Sequence, residues 1–145
     1  LVNGANNPAT VYATINLAPL VSIDPGQYLV IAPAAYVVPN GVLKANLPGS
    51  ADQIQQGPND GLVIANTNTK VVIDAFCYEG PITNATLPIG MNISLVEGVV
   101  LPANIQDSQT VVRSLNRLPN GYDGNNAATD WAISATLTPG LANVP

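Results

Sequence analysis

Few residues in this chain are suited to chemistry, and most of them lie in one loop. Asp123, Asn125, Asn126 and Asp130 form its only oxygen-rich cluster. Asp123-Gly124-Asn125-Asn126 partly echoes a calcium loop, because hard cations take carboxylate and amide oxygens. The closing Glu and the full EF-hand spacing are absent. Asx side chains also build turns by bonding their own backbone. The turn reading is preferred, and Asp123, Asn125 and Asp130 are kept as calcium candidates. Asp74 stands in the apolar run from Val71 to Tyr78, on the face of Val72 and Phe76. A carboxylate there needs a partner such as Arg113 or Arg117. A structural ion pair or a backbone hydrogen bond is the preferred role. Glu79 reads as a turn-capping residue.

Catalysis has little to work with. The chain has no His, the commonest general base and metal ligand. No Gly-x-Ser-x-Gly elbow occurs. Cys77 is the single cysteine, so no internal disulfide forms. Its strand position suits an apolar core filler, and no His is present to activate it. The expectation is a protein that is not an enzyme and carries no cofactor. Among the aromatic residues, Trp131 reads as a core anchor. Tyr122 sits in a glycine-rich turn, and one exposed ring does not make a glycan platform. Two sequons, Asn84-Ala85-Thr86 and Asn92-Ile93-Ser94, are read as chance in an Asn- and Thr-rich chain.

The elements that hold these residues are strands. Prolines from Pro8 to Pro139 punctuate nearly the whole length, and interior prolines break helices. Between them the sequence alternates with period two, as half-buried strands do. Thr10 to Leu17 is the clearest case: Val11, Ala13, Ile15 and Leu17 share one face. Further strands are expected at 27–32, 61–65, 70–78, 92–96, 111–118 and 131–137, with a short edge strand beginning at Val42-Leu43. The run 70–78 is apolar on both faces and is expected to be central. Asp24-Pro25-Gly26 and Pro39-Asn40-Gly41 are turns, and 66–69 is a hairpin connection. The whole reads as a single all-β domain over residues 1–145.

Composition narrows the partners. Charged residues make up only 9% of the 145, against roughly 25% in an ordinary soluble domain. Net charge is −5, and the cations are Lys44, Lys70, Arg113 and Arg117. Four scattered cations do not make a nucleic-acid surface or a site for acidic lipid. No apolar run approaches the ~20 residues of a membrane span. Low Lys and abundant Asn, Thr, Gly and Pro lean towards an exported chain. Residue 1 is Leu rather than Met, which implies a natural start upstream.

Several stretches, in order, resemble one family. Ser114-Leu115-Asn116-Arg117-Leu118-Pro119-Asn120-Gly121-Tyr122-Asp123 is similar to the Ser-Leu-x-Arg-hydrophobic-Pro-Asp-Gly-x-Asp signature of bacterial lamin tail domains. Asn125-Asn126-Ala127-Ala128-Thr129-Asp130-Trp131 and Thr138-Pro139-Gly140-Leu141-Ala142-Asn143 resemble the segments that follow it. Upstream, Leu1-Val2-Asn3-Gly4, Pro25-Gly26-Gln27-Tyr28, Gln55-Gln56-Gly57-Pro58 and Asp74-Ala75-Phe76-Cys77-Tyr78-Glu79-Gly80 fit in register. The resemblance implies an immunoglobulin-like β-sandwich and an accessory module of exported proteins. It also implies opening strands that have no counterpart before Leu1, so the sandwich is expected to be incomplete at its N-terminal edge. An incomplete sheet leaves backbone groups unpaired. Val11, Ala13, Ile15 and Leu17 are therefore expected to face a strand from an N-terminal segment, a cleaved partner chain or a neighbouring copy.

The expected function is a non-catalytic structural or interaction module, secreted or at the cell surface, with a filament or surface-assembly subunit as one form. Two alternatives stand beside it: an accessory domain of a larger secreted nuclease or phosphatase, and a calcium- or glycan-binding module.

Overall fold

The computed structural model describes residues 1–49, 53–57, 59–106, 108 and 110–145. It is an all-β protein with almost no helix. Ten strands occur among the described residues: β1 (Val2–Asn3), β2 (Ala9–Val11), β3 (Leu29–Ala32), β4 (Leu43–Asn46), β5 (Asp60–Asn66), β6 (Val71–Tyr78), β7 (Ala85–Leu87), β8 (Met91–Ile93), β9 (Ser114–Arg117) and β10 (Trp131–Ser134). One helical turn, α1 (Ala127–Asp130), precedes β10, and a 3-10 turn covers Ala18–Leu20.

Six strands form one sheet in the order β6-β5-β1-β2-β7-β8. Its pairs are antiparallel except β2 with β7. Strands β9 and β10 form an antiparallel pair, and β3 and β4 a parallel one. The turn chemistry explains the reversals. Gln27 N–H donates to the Asp24 carbonyl at 2.9 Å and Gly26 has φ +80, a backbone state that glycine adopts without cost. At the β5–β6 reversal, Asn66 Oδ1 accepts from the N–H groups of Asn68 and Thr69, each at 3.0 Å. That is an Asx device.

Alternate residues of β6 feed two cores. Cys77 points into a cluster with Val2, Ala9, Ile82, Ala85 and Leu95. Gly61 is required there, because a Cβ on it would lie 2.4 Å from Leu95 Cδ2 and 2.9 Å from the Phe76 carbonyl oxygen. Phe76 and Tyr78 point the other way, into a cluster with Leu101 and Ala127, flanked by Leu62, Leu115 and Trp131. Phe76 stacks on Trp131 with centroids 4.0 Å apart, so the side chains between the large sheet and the β9–β10 pair form a second layer.

A strap crosses the face on which Phe76 lies. The Gln55 backbone is held at both polar groups: its N–H donates to the Tyr12 hydroxyl (3.0 Å), and its carbonyl accepts from the Tyr78 hydroxyl (2.8 Å). Asn3 Nδ2 donates to the Gln55 side chain at 2.6 Å. On the same face Asp60 is paired across the sheet with Asn3 and Tyr78. It is 1% exposed, and its Oδ1 has no hydrogen-bond partner.

The structure corrects several expected boundaries. Strand β6 lies at the end of the sheet order rather than centrally. Both its faces are covered only at its C-terminal end, Phe76 to Tyr78, while Val71 and Ile73 are exposed, and face patterning carries no information about the edge. The expected strand from Thr10 to Leu17 is laddered only at Ala9–Val11. Strand β7 falls between the expected strands 70–78 and 92–96, where no strand is expected. Strand β4 extends past the expected Val42-Leu43 and pairs parallel to β3. Lys44 secures the short crossover by donating to the carbonyl of Ala34 at 2.7 Å and to that of Tyr36.

Candidate functional site

The loop read as a calcium candidate divides its oxygens between two tasks. Asn126 caps α1 through Oδ1, which accepts from Ala128 N–H at 3.2 Å. Asp130 is buried and accepts from Gly124 N–H (2.7 Å), Asn126 N–H (3.2 Å) and the Thr129 hydroxyl (3.0 Å). Burial pushes its carboxyl up, but those hydrogen bonds and the Arg117 charge outweigh it and hold the group below its ordinary value. Asn125 has φ +52, and its N–H donates to Asp123 Oδ1 at 3.1 Å. Asp130 and Asn126 thus serve the loop's own backbone, in line with the turn reading. Asp123 alone of the group reaches outward.

It reaches Arg117. The guanidinium sits among three carboxylates: Asp74 at 3.2 Å through Nη1 and 3.4 Å through Nη2, Glu97 at 2.7 Å, and Asp123 at 3.4 Å. The arrangement follows from the strands. Asp74 lies two residues before Phe76 on the same face of β6, and Trp131 pairs across from Arg117 in the β9–β10 ladder. The Arg117 head therefore lies 5.2 Å from the Trp131 ring centroid, a cation–π contact. The expected Asp74 partner is thus Arg117.

Glu97 is the residue sequence reasoning missed. Its segment is laced to α1: Ala127 N–H donates to the Glu97 carbonyl (2.8 Å) and Ala128 N–H to that of Val99 (3.2 Å). Gly98, at φ +60, permits this, since a Cβ on it would meet the Asn125 carbonyl oxygen at 2.4 Å. The Glu97 side chain is 7% exposed. Burial raises its carboxyl above the ordinary range; Arg117 opposes this, while Asp74 and Asp123 add to it. The sequence signal was a lone acid in an otherwise apolar run, Leu95 to Leu101. On Arg117, burial is outweighed by the three acids, which keep the guanidinium firmly charged.

The second candidate is the expected strand-partner face. Val11 packs against the Cys77 cluster. Beyond it the chain stays out of the ladder while burial alternates: Ala13, Ile15 and Leu17 are half-buried, Thr14 and Asn16 exposed. The Leu1 amino group donates to the Ala13 carbonyl at 2.8 Å, and Tyr12 N–H to that of Leu1 at 3.0 Å. Past this point Thr14 and Ile15 have no backbone partner among the described residues. On the other flank β5 pairs with β1 only at Asp60 and Gly61, so among the described residues Val63, Ile64 and Ala65 are bonded on the β6 side alone.

The remaining candidates fall in place singly. Cys77 is buried, and burial first of all raises its thiol. Glu79 accepts from Gly57 N–H, a loop-holding role. Tyr122 is exposed. Asn84 is half-buried and donates to Asn7, whereas Asn92 is exposed and accepts from the Thr86 hydroxyl. Among the described residues no helix is long and apolar enough to cross a membrane. Comparisons with family models, curated proteins and solved structures found no match to this chain.

Proposed function

We propose that the chain is a non-catalytic structural or interaction module of an exported protein, secreted or held at the cell surface, and that it works by accepting a β-strand. The supporting observation is the pair of backbone flanks beside β1, Val63–Ala65 on one side and Thr14–Ile15 on the other, left unfilled among the described residues. Main-chain hydrogen bonds to such flanks give affinity, and alternate side-chain positions give selectivity.

The register specifies the occupant. A strand in line with β1, antiparallel to both flanks, places its first residue opposite Val63 and Ala13, its second opposite Ile64 and Thr14, and its third opposite Ala65 and Ile15. The first and third face the Cys77 core with Val2 and Val11 and require apolar side chains. The second meets half-exposed Ile64 and exposed Thr14 and accepts Thr or another polar residue. The occupant is therefore an extended protein segment, apolar at alternate positions. With it in place, the large sheet facing the β9–β10 layer across Phe76 and Trp131 is read as an immunoglobulin-like sandwich of the lamin-tail kind. A subunit in a filament or surface assembly is the natural setting for such exchange.

The test is amide hydrogen exchange with and without an alternating Val-Thr-Val peptide, alongside sedimentation over a range of concentrations. Added strand should protect 13–15 and 63–65, and Ile15→Pro should abolish the effect. Slow exchange of both segments in a lone monomer, with no response to peptide, would overturn the proposal.

A further inference from the structure

We propose that Asp74, Glu97 and Asp123 form a binding site for a divalent cation, calcium by ligand type. Each offers a carboxylate oxygen, and the three oxygens lie within 4.8 Å of one another. Calcium takes oxygens at about 2.3–2.6 Å, so two of its ligands can stand up to roughly 5 Å apart. The smaller magnesium ion, at about 2.0–2.1 Å, spans less.

A second observation concerns Glu97 itself. The Glu97 side chain is 93% buried (7% exposed), yet its Oε2 has no hydrogen-bond partner. A buried carboxylate oxygen left unpaired is costly, and an ion is one of the few things that resolves it. The charge count agrees. Arg117 contributes one positive charge against three acids within salt-bridge distance, which leaves two negative charges. A divalent ion closes that balance without removing the arginine. Only the Glu97 contact is short; those to Asp74 and Asp123 are 3.2–3.4 Å. Asp74 and Asp123 are 36% and 43% exposed, so water has access to complete the coordination shell from the solvent side.

This differs from the loop set expected from sequence. Asp123 is common to both, while Asn125 and Asp130 are replaced by Asp74 and Glu97, which come from elsewhere in the chain.

Trp131 supplies the test. It is the only tryptophan and lies against Arg117, so it should sensitise terbium bound in the cluster. The expected result is saturable terbium emission on tryptophan excitation, displaced by calcium well before magnesium. Glu97→Gln should weaken it at least tenfold, and calcium should raise the melting temperature of the unaltered protein by mass action. Asp123→Asn, in an exposed loop, gives the same readout should Glu97→Gln fail to fold. Absent emission, emission unchanged in the variants, or equal displacement by magnesium overturns the site.

Discussion

The two faces of β6 solve burial in opposite ways. On the Cys77 face the core is Val2, Ala9, Ile82, Ala85 and Leu95. On the Phe76 face, aromatic stacking runs straight into an arginine, three carboxylates and, further along, a buried Asp60. The same strand supplies both, one residue apart. Apolar packing is non-directional and tolerates a curled sheet. Ion and hydrogen-bond networks are directional, so they fix where loops meet strands. The first face gives the protein its stability, and the second ties four separate segments to one geometry.

Mutations should separate these roles, and the largest effect belongs to the apolar face. Leu95 is 0% exposed, and Leu95→Ala should cost about 2–5 kcal/mol in urea unfolding. A loss under 1 kcal/mol would mean that the cluster is loosely packed and the comparison wrong.

Arg117→Leu keeps the apolar stem but strands three carboxylates. It should destabilise by about 2–3 kcal/mol at neutral pH, below the ~3–5 of a fully buried pair because Asp74 and Asp123 reach solvent. The deficit should shrink as pH falls and the acids take up protons.

Asp60→Asn should go the other way. Burial raises the folded-state value of this carboxyl above the unfolded one. Its contribution is then fully present below the unfolded value and lost as pH rises through the folded value. The substitution removes that loss, so stability at pH 7 should rise by about 1 kcal/mol and depend less on pH. Asp130 provides the internal contrast, because its lowered value means stability lost as pH falls. Thermal melts across pH on Asp60→Asn and the parent check the sign.

The sequence was most legible where chemistry is local. Asp24-Pro25-Gly26 carries its own turn, and the Asn66 reversal announces itself by type. The need of Asp74 for an arginine followed from one charge in an apolar alternation. Relations between distant segments were hidden. Period two told which way Val71 to Tyr78 face but not that β6 ends the sheet. The alternation after Val11 persists in burial although the ladder stops, because side-chain pattern and backbone pairing are separate properties. The parallel β3–β4 pair depends on Lys44 reaching back to the Ala34 and Tyr36 carbonyls, which no local rule encodes. Glu97 showed only as a lone acid in an apolar run, and its pairing was hidden because Arg117 lies 20 residues away along the chain.

The Gln55 strap has a consequence for solvent. The Tyr78 hydroxyl donates and the Tyr12 hydroxyl accepts, so the backbone of one residue is latched from both sides on the face where Asp60 lies. Asp60 is 1% exposed there, so any opening of the strap that admits water to it would relieve the desolvation that raises its carboxyl.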